Sequence, residues 1–209
     1  MNSVHFPQQL IEIKDFLQQQ NLLLSQTTRD GRVNSAFNED EIVALIDQHF
    51  TIRRPKIRDW FDFAFENNGI FYPVNIKVST TETADNLNCK LGIYYALTGK
   101  IPDFKNGISW DKYFKKLKEN ICENNQDYYF LIVNKDNTQD IFLSSLKTIT
   151  QLVPNGNNLP FQACWNDNRN PINRNYQQAQ KFILSIFGQS LKLRANAYLS
   201  FKEYFAEYV

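Results

Sequence analysis

Three side chains between residues 59 and 77 have the types and spacing of a phosphodiester-cleaving centre. Asp62 lies among aromatics in Asp59-Trp-Phe-Asp62-Phe-Ala-Phe65, and Asn75 and Lys77 end the run Phe71-Tyr-Pro-Val-Asn75-Ile-Lys77. The intervening Glu66-Asn-Asn-Gly69 is turn-like, so the two β-rich runs fold back as a hairpin. Alternation along the second strand puts Asn75 and Lys77 on one face, where Asp62 meets them, opposite Phe61, Phe63 and Phe65. Hydrolysing a phosphodiester requires a nucleophilic water and stabilised charge on the phosphorus oxygens. Mg²⁺ on carboxylates supplies both, and a neighbouring Lys orients the water and offsets developing charge. Asp62 would then anchor the metal, Asn75 would add a neutral amide oxygen, and Lys77 would hold the water and the scissile phosphate. An ordinary strand-end acid is the competing explanation of Asp62, but Asp is disfavoured in strands and this one is embedded in aromatics. Asp59 is the alternative anchor, although its position before Trp60 also suits a strand start or pairing with Arg58.

The elements around this hairpin must position it. Residues 7 to 23 read as an amphipathic helix with the stripe Leu10, Ile13, Phe16 and Leu17, and with Pro7 at its first turn. A second helix is expected over Asn38 to Asp47, with Asn38 as N-cap and Glu41 completing a capping box. Glu39 lies three and seven residues before Ile42 and Ile46, at the end of the buried stripe, so it is the candidate third acid. A first-turn acid favoured by the helix dipole is the alternative for Glu39, and Glu41 is its rival for the site. Thr81 to Asn88 is polar, Cys89 to Leu97 reads as a helix under the sheet, and Trp110 to Cys122 as a helix with lysines outward. Tyr128 to Val133 is a continuous apolar run and so a buried strand. Ile141 to Leu152 reads as a short helix, and Tyr176 to Tyr208 as helix interrupted only at Gly188.

Composition narrows the function classes. Of 209 residues, 43% are apolar and 14% aromatic, which describes a globular chain and not a disordered one. A formal net charge of +1 argues against non-specific coating of nucleic acid and permits a local basic cleft. The three cysteines (Cys89, Cys122 and Cys164) have no zinc or disulfide spacing, which suggests reduced intracellular thiols. No run approaches a membrane span and no signal pattern opens the chain, so a cytoplasmic protein without membrane partners is expected. With only His5 and His49, and without a Gly-x-Ser-x-Gly motif or phosphate-cradling Gly loop, other nucleophilic chemistries and organic cofactors fit poorly.

The acid, the strand pair and the x-x-Lys ending together resemble the PD-(D/E)xK nuclease superfamily, in particular type II restriction endonucleases. Further stretches in the same order carry the resemblance: Gly31-Arg-Val-Asn-Ser35 before Asn38-Glu39, Asp85-Asn86 before Gly92-Ile-Tyr-Tyr-Ala-Leu-Thr-Gly99, and Pro160-Phe-Gln-Ala-Cys-Trp-Asn166. It spans roughly residues 31 to 175. It departs from the usual pattern at Asn75, where acid-x-Lys is normal; the neighbouring Val78-Ser-Thr-Thr81 resembles a subgroup ending in Asn-Ile-Lys. An inactivating substitution is the other explanation of this Asn. The resemblance implies an α/β fold with a restriction-endonuclease-like core, a central mixed β-sheet flanked by helices. It implies one domain over residues 1–209, with an N-terminal helical segment over 1–30 and a DNA-reading loop at about 154–175. It also implies Mg²⁺-dependent, site-specific cleavage of double-stranded DNA leaving 5′-phosphate ends, catalysed by Asp62, Asn75, Lys77 and Glu39, with Asp62 and Asn75 on the metal. A repair or junction-resolving nuclease and a catalytically dead DNA-binding module are the alternatives.

Eight of the 22 residues from 154 to 175 are Asn. Amides suit adenine and Arg suits guanine, so Gln162, Asn166, Asn168, Arg169, Asn173 and Arg174 around Trp165 are candidate base readers. A turn-rich loop is the plain alternative. Arg32, Arg53, Arg54, Lys56 and Lys90 are candidate phosphate contacts. By analogy an enzyme reading a palindrome is a homodimer, and its interface would draw on the C-terminal helix or the Leu10/Ile13/Phe16/Leu17 stripe, unless these serve the core.

Overall fold

A computed structural model describes residues 4–20, 22, 24, 31–57, 59–104 and 109–209, without the side chains of 31–37. The chain opens with two helices, α1 (Gln8–Gln19) and α2 (Gly31–His49). Strands β1 (Phe63–Asn67) and β2 (Ile70–Ser79) then form the expected hairpin. Asn68 and Gly69 turn it with φ of 51° and 74°, the left-handed pair that matches the twist of a tight hairpin. The path continues through β3 (Ala84–Leu87), α3 (Lys90–Thr98) and α4 (Trp110–Asn120), and returns as β4 (Tyr129–Asn134), parallel to β2. Strand β5 (Ile141–Ser145) pairs antiparallel with β4, completing a mixed sheet in the order β1-β2-β4-β5. A second antiparallel sheet joins β3 to β6 (Val153–Pro154) and β7 (Phe161–Cys164) in the order β3-β7-β6, before the long α5 (Tyr176–Tyr204).

Strand alternation divides the interior between the two faces of the central sheet. Phe63, Phe65, Val74, Ile76, Val78, Leu131 and Val133 pack beneath α1 and α2, against Leu10, Ile13, Leu17, Ile42, Val43 and Ile46. Ala64, Phe71, Phe130 and Ile132 face the other way, into a core with α3, Trp165, and Ile183 and Phe187 of α5. The fold is therefore mixed α/β with a mixed central sheet flanked by helices. Phe61 lies in the second core, not with Phe63 and Phe65 as alternation predicts, because the chain is not yet in a strand there. Truncating a side chain such as Ile76, fully buried, would cost about 2–5 kcal/mol.

Three expectations fail locally, and one strand was not foreseen. Ile141 to Leu152 is not a helix: pairing with β4 makes 141–145 the edge strand, which overrides a weak helical preference. The polar stretch 81–88 contains β3, whose Leu87 is buried while Asn86 is half-buried. Asn38 caps nothing, since α2 begins at Gly31; instead it is a buried position in the helix interior. Gly188 does not interrupt α5, where its missing side chain opens only onto free space.

Candidate active site

The site is built on an unfinished edge of β2. Antiparallel pairing with β1 ends at Phe63–Val74, and the backbone N–H of Asp62 closes it on Val74 O at 2.9 Å. Beyond that point alternate N–H groups of β2 still aim toward the missing partner, and carboxylates replace it. Ile76 N–H donates to Asp62 Oδ2 at 2.6 Å, and the N–H of Val78 donates to the carboxylate of Glu39. Asn75 Nδ2 adds a second donor to Asp62 Oδ2 at 2.6 Å. One oxygen of Asp62 is thus held by two donors while Oδ1 takes no part in either bond. The Asn75 oxygen lies on the other prong of its amide.

Burial perturbs the two acids of this edge. Burial raises the Asp62 carboxyl above its ordinary value, partly offset by the Ile76 N–H and by Lys77. Glu39 is pushed up to about 7, chiefly by burial and further by the Asp62 and Asp85 charges; Lys77 and the Val78 N–H act against this. Because α2 starts at Gly31, Glu39 sits more than two turns in, where the N-terminal dipole has faded. Its position answers to the strand edge and not to the helix end.

A cavity of about 210 Å³ opens beside this edge, walled by Asp59, Asp62, Asn75, Lys77, Asn86 and Tyr128 among others. Organic-ligand pockets typically start at about 300 Å³, so this one is small beside them. Glu39 reaches the edge from α2 and is not part of the cavity wall. Tyr128 is seated because α3 carries Gly92, where a Cβ would stand 2.6 Å from the Tyr128 ring; its hydroxyl donates to Trp60 O at 2.8 Å. The alternative acid Asp59 lines the cavity but accepts from Lys56 N–H at 2.7 Å; Arg58 lies outside the described residues. Glu41 is exposed and does not appear among the charges acting on Asp62 or Glu39.

Of the expected DNA contacts, many are engaged within the fold. Arg169 makes a two-pronged pair with Asp140 (2.8 and 2.6 Å) and holds that carboxyl below its usual range. Arg174 donates to the carbonyls of Lys147, Ile149 and Thr150. Asn168 is buried, bonding Gln151 N and Cys164 O, and Trp165 is fully buried with Nε1 on Asp85. Asn166 accepts from Arg169, and Asn173 is exposed. Arg54 pairs with Asp47, Arg53 lies over Phe61 and Phe71, Lys90 lies over Trp110, and Lys56 is exposed. The side chain of Arg32 lies outside the described residues.

The sequence reading missed an amide cluster. Asn86 Oδ1 accepts from both Asn155 Nδ2 (2.9 Å) and Gln162 Nε2 (3.0 Å), and Asn86 also walls the cavity. The signal was present in Asp85-Asn86-Leu87, a polar-polar-apolar step ahead of a helix, but only the pairing of β3 with β7 brings Gln162 beside it.

No family model matches the chain, and no curated protein matches it either. Among the described residues no helix is long and apolar enough to cross a membrane.

Proposed function

We propose that the protein is a Mg²⁺-dependent, site-specific endonuclease acting on double-stranded DNA, of the type II restriction class, with a restriction-endonuclease-like core. The observation that carries this is the convergence of Asp62, Glu39 and Lys77 on the open edge of β2 beside a small cavity. The donor set fits the ion: two carboxylates and an amide are hard oxygen ligands. Burial disfavours the anionic form of both acids, and a cation between them would offset that cost.

When bound, Mg²⁺ supplies a Lewis acid and a water of lowered pKa. The chain's own residues do the rest. Asp62 would hold the ion through its carboxylate, which Asn75 and the Ile76 N–H fix by Oδ2. Glu39 contributes the second charge from α2. Lys77 shares a strand face with Asn75; its ammonium orients the attacking water and neutralises charge on the scissile phosphate. Gln162, Asn166 and Asn173, with the half-buried Asn86, are the groups assigned to base edges, and Arg53, Lys56 and Lys90 to phosphates.

Incubation of unmethylated phage DNA with the protein and Mg²⁺ tests the proposal, with Lys77→Ala alongside. Discrete fragments that vanish in the variant are expected. Cutting of branched DNA alone would transfer the site to a junction-resolving role. Salt-sensitive binding without cleavage would make it a DNA-binding module with an inactive centre.

A further inference from the structure

The second sheet carries a chain of amides whose orientation is fixed from one end. Asn155 is buried just beyond β6, with its N–H on Ser190 Oγ at 3.0 Å. Its Oδ1 accepts from the N–H groups of Asn157 and Asn158, at 3.0 Å each. A backbone N–H only donates, so this amide has one possible orientation. Its Nδ2 therefore faces the other way and donates to Asn86 Oδ1 at 2.9 Å. Gln162 lies directly opposite Asn86 in the pairing of β3 with β7, and its Nε2 donates to the same oxygen at 3.0 Å. Both lone pairs of Asn86 Oδ1 are thus used, and among the described residues nothing accepts from Asn86 Nδ2. That nitrogen is not a buried orphan either, so it opens on accessible space. Asn86 walls the cavity shared by Asp62, Asn75 and Lys77, whereas Asn155 and Gln162 do not. The oxygen prong is held in the cluster, which leaves the N–H prong for the cavity.

We infer that Asn86 Nδ2 donates to the phosphate that reacts in this cavity, and that Asn155 is its positioning residue. An amide reads adenine by donating and accepting at once, but Asn86, its oxygen consumed, can only donate. Its assignment to base edges is narrowed accordingly. Lys77, in the same cavity wall, also offers only N–H groups, and they carry a positive charge. An ammonium and a donor-only amide together suit an anionic oxygen better than a neutral base edge. The Asp62 carboxylate would meet that anion through the ion proposed for it. The two bonds received at Oδ1 polarise the Asn86 amide and strengthen its N–H groups as donors. A donor fixed before substrate arrives needs no reorganisation as charge grows on the phosphorus oxygens. The inference rests on the endonuclease reading only for the molecule to which the phosphate belongs.

Cleavage of phage DNA with Mg²⁺ and side-chain amide NMR of the full chain test it together. Asn86→Ala should yield the wild-type fragments with kcat reduced about a hundredfold and KM changed far less. Asn155→Asp keeps an acceptor for the Asn157 and Asn158 N–H groups but turns Asn86 over, so that Oδ1 faces the phosphate. Its kcat should fall nearly as far, with an unchanged circular dichroism spectrum, although Asn155 lines no part of the cavity. With isotope-labelled asparagine, dimethyl phosphate (a diester without a base) and Mg²⁺ should move the Asn86 amide resonances of the wild type and leave those of Asn155→Asp in place. Altered fragments from Asn86→Ala would make Asn86 a base reader and overturn the inference. An undiminished kcat in Asn155→Asp would overturn the positioning role. If the wild type cuts no DNA, the endonuclease reading falls and the titration decides. A shifted Asn86 amide then upholds the phosphate contact, and an unmoved one overturns it.

Discussion

The chain buries two acid–lysine combinations, and they differ in what they leave open. Asp127 and Lys147 form the first. Asp127 accepts from the N–H groups of Tyr128 and Lys147, and Lys147 Nζ donates to Asn124 O and Oδ1 beneath the Tyr176 ring. Burial raises the Asp127 carboxyl to about 6, with Lys147 acting against it, and burial lowers the Lys147 ammonium. The second combination is Asp62, Glu39 and Lys77. Here the two acids cap a strand edge, and among the described residues no acid lies within ion-pair distance of Lys77 Nζ. The cavity beside Lys147 is the larger, about 510 Å³ against about 210 Å³. Size therefore does not separate the two clusters; among the described residues they differ in that Lys147 Nζ is hydrogen-bonded and Lys77 Nζ makes no ion pair.

That contrast is broken most severely by exchanging the consequences of losing each lysine. Lys77→Ala should reduce DNA cleavage by about a thousandfold or more and leave the urea midpoint where it was. Lys147→Ala should do the reverse, costing about 1–3 kcal/mol because Asn124 loses its buried donor and Asp127 loses the nearby ammonium while keeping its backbone N–H donors, with kcat kept under conditions where the chain is folded. Urea titration with unchanged m-values reads the stability arm. If Lys77→Ala proves the destabilising variant, the cleft lysine is structural and the contrast collapses.

Protonation sharpens the same contrast at a smaller scale. Glu39 moves from 4.5 to about 7 on folding, so between these values the folded chain holds a proton that the unfolded chain has released. Metal-free stability should therefore fall as pH rises from about 4.5 to about 7, by on the order of 2 kcal/mol from this group. Asp127 adds a decline of the same sign at lower pH, ending near 6. Glu39→Gln should remove the upper part of the slope and leave the Asp127 part. Mg²⁺ at pH 7 should raise the melting temperature of the wild type and not that of Glu39→Gln. Equal slopes in the two proteins would show that Glu39 is not the buried acid.

How far the sequence disclosed these features follows from where their causes lie. Asp62, Asn75 and Lys77 were legible because a tight turn and period-two alternation are local, and the strand edge obeyed both. Glu39 was half-legible: its offset from Ile42 and Ile46 was correct, but the capping box at Asn38 misplaced the helix start by seven residues. In the Asn-rich segment several side chains serve the fold itself. Asn155 Oδ1 fastens the N–H groups of Asn157 and Asn158, Asn168 braces a buried turn, and Asn175 caps α5. These are the short-range backbone bonds that Asn makes in any turn-rich loop. Which amides remain outward depends on β3, β6 and β7 meeting across distant parts of the chain, and no local pattern records that. Of the two proposed interface stripes, Leu10, Ile13 and Leu17 went to the core, and only the far half of α5 stayed uncovered.

The smallest effect tests the residue that departs from the acid-x-Lys pattern. Asn75 donates to the carboxylate oxygen that also receives the Ile76 N–H. Asn75→Asp would replace that donor with a second charge set against Asp62, in a place where burial already disfavours the anion. It would also give the ion a carboxylate in place of an amide, a stronger ligand. At low Mg²⁺ the repulsion dominates, because an empty site must hold both charges, and cleavage should fall by about tenfold. At high Mg²⁺ the added ligand compensates and activity should approach that of wild type. The metal dependence should therefore steepen and shift to higher concentration, while the stability of the metal-free chain falls at neutral pH and recovers in acid. A wild type without cleavage at any Mg²⁺ concentration, beside an Asn75→Asp variant that cuts DNA, would show that Asn75 disables this centre instead of holding Asp62 in place.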